Sequence, residues 1–147
     1  MINLKVSPAY KAKVDADLLV KTAQYAADRL LRHPVDISIA IVGDRKIQQL
    51  NKQFRQLDTP TDVLSFSSDA IDPSTEVPYL GDIVISLPSA RSNALKSGHS
   101  LDDEMQLLIV HGVLHLNGYD HDTKKNKDRM WKLQDEILTG LGIHIEV

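Results

Sequence analysis

The sequence predicts a single domain of the α+β or α/β class, with a small mixed β-sheet packed with helices. Three observations predict it. Short β-branched runs alternate with helix-period segments in the first half of the chain, and helices dominate the second half. The 147 residues are enough for one real hydrophobic core. The composition is ordinary, 42% hydrophobic and 25% charged, and no repeat or low-complexity linker divides the chain.

Residues 2–6 alternate apolar and polar and read as a strand. Over residues 15–32, Leu18, Leu19, Ala23, Ala26, Ala27, Leu30 and Leu31 recur at helical spacing, and Pro34 stops the helix. Residues 35–42 are rich in β-branched side chains and end at Gly43, as a buried strand does. Asp44 is placed to cap a second helix with Ile47, Leu50 and Phe54 inward. After Arg55 the pattern breaks at Leu57-Asp58-Thr59-Pro60. Residues 63–66 are a short strand, and 67–79, with two prolines, a loop. Residues 80–87 are the next strand, and Pro88 suits the first turn of a short helix.

Ser100 and Asp103 then show the S-x-x-D spacing of a capping box. Residues 105–116 are apolar on nearly every side, the mark of a helix buried all round. Past the first turn its one polar stripe is His111 and His115. A last amphipathic helix covers 124–138, with Met130, Leu133, Ile137 and Leu138 inward. Residues 143–147 close the chain as an edge strand or a loose tail.

The chain has no cysteine, which excludes disulfides and thiolate metal sites. Any transition metal falls to histidine or carboxylate. Residues 1–6 lack the apolar run of a signal peptide, and no stretch is long and apolar enough to span a membrane, so the expected location is the cytoplasm. A formal net charge of -3 shows no global basic surface, although an enzyme that touches a short stretch of strand needs only a local basic patch.

Four residues apart on a helix, His111 and His115 share a face, with Cβ atoms roughly 5–6 Å apart, and both rings can reach one ion at about 2.0–2.1 Å. Gly118 can supply the left-handed turn that ends the helix and returns the chain, so that His121 closes a triangle. A lone histidine on an apolar helix is ordinarily a satisfied core residue. Two unpartnered imidazoles on one would cost about 1–3 kcal/mol per unsatisfied group, and a shared metal removes that cost. Three protein ligands leave a fourth position open. Structural zinc is normally closed by four, whereas an open site holds a water whose pKa zinc lowers to about 7. The residues thus read as a zinc-dependent hydrolase with one zinc per chain.

In H-E-x-x-H peptidases a glutamate after the first histidine is the general base. Gly112 stands there, which argues against peptide hydrolysis by that route. Asp82 and Asp120 are candidate supporting or base carboxylates, with a strand-start and a turn residue as the plainer readings. Arg55 at a helix end reads first as dipole complementation. His33, His99 and His144 read as surface residues. Lys124, Lys125, Lys127 and Arg129 could meet phosphates or simply form a solvated helix face.

The run from His111 to His121, HGVLHLNGYDH, closely resembles the H-G-x-L-H-L-x-G-Y-D-H signature of the bacterial YbeY family. Thr61 with Asp62-Val63-Leu64-Ser65-Phe66 resembles its T-[DN]-V-L-S-F segment. Leu80-Gly81-Asp82-Ile83 resembles its L-G-D-I strand, and Leu50-Asn51 with Phe54-Arg55 its L-N-x-x-[YF]-R segment. These matches keep the family's order over roughly residues 40 to 140. The resemblance implies a single α+β domain, 1–147, with a zincin-like core similar to that of zinc peptidases. It implies a metal-dependent, single-strand-specific endoribonuclease acting in 3′-end maturation of small-subunit ribosomal RNA and in ribosome quality control. Small-subunit ribosomal proteins and the GTPase Era are the partners it implies. By position it puts Arg55 on the family's functional arginine, a donor to the charged transition state.

Single-strand preference needs apolar platforms for bases. With two Phe, four Tyr and one Trp these are few, and Tyr79 in the long loop is one candidate. The rival readings are a ribosome-assembly binding protein with a structural zinc, and a zinc hydrolase of another bond.

Overall fold

The computed structural model describes residues 1–145. Four strands form one sheet: β1 (Ile2–Val6), β2 (Asp36–Val42), β3 (Val63–Ser67) and β4 (Tyr79–Ser86). Their order is β1-β2-β4-β3; β1, β2 and β4 run parallel and β3 lies antiparallel on the edge. Five helices complete the α+β domain: α1 (Ala16–Leu30), α2 (Asp44–Arg55), α3 (Leu87–Ser97), α4 (Leu101–Leu116) and α5 (Lys124–Gly140). A short 3-10 turn, Pro8–Lys13, precedes α1 and has no buried residue, so no apolar period announces it.

Alternation along the strands decides which face each side chain takes. Ile37, Ile39, Ile41, Ile83 and Ile85 point to the face covered by α1 and α4, and all are at most 1% exposed. Leu64 and Val84 point the other way and pack with Ile47 of α2. The helices begin where side-chain oxygens meet free amides: Asp15 for α1, Ser86 for α3, Ser100 for α4 and Thr123 for α5. Asp44 does not cap α2, which starts from Gly43. Its carboxylate instead accepts the Ser86 and Ser89 hydroxyls and joins α2 to the start of α3. Phe54, expected inward, is 52% exposed: its ring meets Phe66 of the edge strand and is otherwise half open. The loop after β3 is folded on itself: Asp72 accepts from the Ser74 and Thr75 amides, and Ile71 bridges Pro78. Of the tail expected at 143–147, Ile143 is buried without forming a strand, and residues 146 and 147 lie outside the described residues.

Helix α4 is central and touches α1, α3, α5, β3 and β4. Its buried residues run from Glu104 to Val110 and include Gly112, Val113, Leu114 and Leu116. The buried polar groups here are partnered: Gln106 donates to Thr22 at 2.9 Å, and His99 meets Glu104 at 2.9 Å. At Gly112 α4 lies close against β4. A Cβ there would lie 2.9 Å from two Ile83 carbons, inside any real contact distance. Any larger residue at this position would push the helix off the sheet.

Gly112→Ala is expected to lower stability by about 1–3 kcal/mol through overpacking, and Ile83→Val in the same chain to restore part of the loss. Urea unfolding of the four proteins in that cycle measures it. Additive losses would mean that Ile83 is not the obstacle.

Candidate metal centre and active-site groove

His111 and His115 occupy the one strip of α4 that the core leaves open, and both are half-buried. Past Asn117, Gly118 adopts φ 89°, a left-handed conformation open to glycine without strain. The reversal is held by the Gly118 and Tyr119 amides, which donate to the His115 and Leu114 carbonyls at 3.0 and 3.1 Å. It brings His121 back beside the helix, with its ring centroid 5.7 Å from that of His111 and 5.2 Å from that of His115.

The Nε2 atoms of His111 and His115 are 3.0 Å apart, and one ring nitrogen from each of the three histidines lies within 4.8 Å of the others. A tetrahedral ion at about 2.0–2.1 Å from each nitrogen spaces them roughly 3.4 Å apart. The three rings therefore form a set that could hold one metal ion, and His121, the exposed member, can take up the remaining distance by rotating. The Nδ1 of His111 lies 3.0 Å from Oε1 of Gln134, a buried residue of α5. An amide oxygen only accepts, so the proton sits on Nδ1 and the Nε2 lone pair faces the groove. Such a partner orients a metal-binding imidazole. Burial pushes His111 and His115 below the ordinary 6.5, and neighbouring rings add to the effect, so both are neutral at neutral pH.

Arg55 closes α2 and faces the same groove. Its Nη2 donates to the Ser65 carbonyl at 2.7 Å, and its Cζ lies 5.5 Å from the Phe66 ring centroid. The Ser65 carbonyl is available because β3 is an edge strand. Asp62 and Ser68 bond to β4, at 2.9 Å each, so the backbone groups of Val63, Ser65 and Ser67 point outward. The turn from α2 into β3 is pinned by buried Asn51, which donates to the Thr59 carbonyl at 2.9 Å, and by Gln48 on the Asp58 carboxylate at 3.1 Å. Together these parts border an open cavity of about 450 Å³ lined by Arg55, Leu57, Asp62, Ser65, Ser67, Asp120 and the three histidines. Asp62 is held by Asn93 at 3.1 Å, and Asp120 accepts from the His121 amide at 2.7 Å.

The structure thus gathers Arg55, His111, His115, His121 and Asp120 around one groove. It does not bring Asp82, which pairs with Phe66 in the sheet and points to the face away from α4. There Asp82 accepts from the Tyr79 hydroxyl at 2.6 Å. Tyr79 belongs to β4 rather than to a loop, and burial, followed by that bond, pushes its pKa up. The groove's lip is residues 57–67, not the long loop after them. His33 and His144 are exposed, as expected, but His99 is largely buried against Glu104. Lys124, Lys125, Lys127 and Arg129 are exposed on α5, and Lys127 stands 5.5 Å from the Trp131 ring, which lies edge-on to His111 and His121. Asp62, Asn51 and Gln134 were missed as site residues. The first two lie in the matched segments but carry no signal of their own, and Gln134 reads as one more polar residue of an amphipathic helix.

A family model described as Endoribonuclease YbeY matches residues 6–142. The chain belongs to the YbeY endoribonuclease family. It is a nuclease, a hydrolase whose substrate is RNA. Among the YbeY endoribonucleases it resembles, that of Limosilactobacillus reuteri strain DSM 20016 is 42% identical over 132 residues, covering 82% of this chain and 83% of the relative. That of Roseiflexus castenholzii is 39% identical over 152 residues, covering 99% and 96%. The solution structure of a Thermotoga maritima protein has the same fold, with a TM-score of 0.59 at 25% identity over 96% of this chain and 91% of the other. No helix of this YbeY chain, among the described residues, is long and apolar enough to cross a membrane.

Two outcomes follow from the histidine environment. Gln134→Ala is expected to weaken metal binding about 10- to 100-fold with the fold intact, since only the orienting acceptor is lost; competition titration against a chelating dye reads it, and unchanged affinity would remove Gln134 from the site. In metal-free protein, His111 and His115 bind protons less readily folded than unfolded, so stability falls as pH drops below about 6.5. Melting temperatures from about pH 7 to about pH 5 should decline more steeply than those of the His111→Asn, His115→Asn double variant.

Proposed function

We propose that the chain is a zinc-dependent, single-strand-specific endoribonuclease that matures the 3′ end of small-subunit ribosomal RNA and serves ribosome quality control in the cytoplasm, with small-subunit proteins and the GTPase Era as partners. The observation that carries the catalytic part is the convergence of His111, His115 and His121 on a groove that Arg55 also lines. The two helical histidines one turn apart are the arrangement that zinc peptidases use, and with no cysteine in the chain an all-histidine donor set suits zinc. The RNA-processing role and the partners rest on family membership.

His111, His115 and His121 would hold the ion, whose contribution is to polarise a bound water or phosphate oxygen. The chain's own residues do the rest. Gln134 keeps the His111 ring in the tautomer whose Nε2 can bind the ion. Arg55, anchored on Ser65 by one nitrogen, keeps other N–H groups free to donate to the scissile phosphate as negative charge builds on it. Asp62 and Asp120, the carboxylates that line the groove, are placed to accept or return protons. Against these two carboxylates Arg55 is the lining's single cation, so a bound metal ion is what makes the groove attractive to a phosphodiester.

The roles separate by mutation. His115→Ala should lose both metal and RNA cleavage. Arg55→Ala should keep fold and metal while single-turnover cleavage of an unstructured RNA falls about 10²- to 10³-fold, the loss of roughly 2.7–4 kcal/mol of transition-state stabilisation. A rate within about threefold of wild type, under 1 kcal/mol, would rule out that role.

A further inference from the structure

The groove carries charge and ligands, and its apolar lining, Leu57, Val63 and Leu64, offers no Phe, Tyr or Trp surface on which a base could stack. That surface lies one residue from Arg55. Phe54, on the last turn of α2, is 52% exposed. It does not pack into the core; it leans on Phe66, with ring centroids 5.2 Å apart and planes at 63°. Phe66 also holds the Arg55 guanidinium, 5.5 Å from its centroid. Phe66 thus backs both neighbours, an open aromatic ring and a cation that also lines the histidine groove.

We propose that Phe54, backed by Phe66, is a base-stacking subsite: an unpaired nucleobase lies on the Phe54 ring while an adjoining phosphate meets Arg55. This rests on the nuclease reading above and adds a means of choosing single strands. Every base has a π-face, so stacking gives affinity without reading sequence, and a base already paired inside a helix cannot offer that face. The occupant is a nucleotide rather than a partner's apolar side chain because the subsite shares a cation with the groove. Arg55 is common to both, and Leu57, 57% exposed, lines the groove just beyond it. The ring sits on a helix whose preceding turns are pinned by Asn51 and Gln48, so it is presented without ordering a loop. Tyr79 and Trp131 do not compete for the role. The Tyr79 hydroxyl is tied to Asp82, and Trp131 is half-buried against the ligand rings.

The test is fluorescence anisotropy with zinc-loaded protein and a short, unstructured 2′-O-methyl oligonucleotide, which blocks attack by the ribose hydroxyl and is checked by gel to be intact after each titration. A set carrying one abasic position at a time is titrated alongside. Phe54→Ala should weaken binding about 5- to 150-fold, as loss of one base–aromatic stack does, with melting temperature unchanged. Phe54→Trp should bind at least as well as wild type, and Phe54→Leu should stay weak. At one abasic position wild type should fall to the level of Phe54→Ala, and Phe54→Ala should fall no further. Equal binding by Phe54→Ala and wild type, or additive losses at every abasic position, would overturn the subsite while leaving the nuclease reading in place. Wild-type protein that binds no single strand would overturn both.

Discussion

Gly112 against Ile83 is the contact on which the site's geometry depends. It lets α4 settle closer to β4 than any side chain would permit, and it lies between the two helical histidines. The depth of the helix sets the height of both rings above the sheet. Its rotation is fixed separately, because α1, α3 and α5 seal every other side with apolar side chains. Dense packing of this kind is stiff, so the imidazoles inherit their positions from the core rather than from any loop. Only His121 depends on the chain beyond the helix, and it is the most exposed of the three.

That dependence explains what could be read from the residues alone. The apolar circumference of α4, its serine cap and its histidine stripe are local patterns, and each appears in the structure where its spacing puts it. The strands were legible to within about a residue because alternation or β-branching is continuous along each of them. What stayed hidden has no local pattern. Asp44 looks like a cap and is drawn off by Ser86 and Ser89 from a distant helix start. Phe54 falls at the right helical spacing for burial, but it meets Phe66 of the edge strand, and which strand a helix turn meets is not written into the helix. Asp82 sits in a matched segment and looks like a site carboxylate until the register with Phe66 turns it to the other face. Gln134 reaches His111 across 23 positions of sequence, and only the docking of α5 on α4 makes it a partner. Arg55 could be placed beside the groove by resemblance, whereas its hold on Ser65 needs the knowledge that β3 has no neighbour on that side.

The unpaired side of β3 has a further consequence, for how these molecules behave in company. A strand whose outer amides and carbonyls face water is a template for another strand, and proteins ordinarily blunt such edges with charge or cover. Here the middle of the exposed row, the Ser65 carbonyl, is already occupied by a guanidinium. A second chain trying to zip onto this edge would have to evict a cation from its oxygen and from the face of Phe66 before gaining its first central hydrogen bond. One arginine thus opposes self-association along this rim of the sheet.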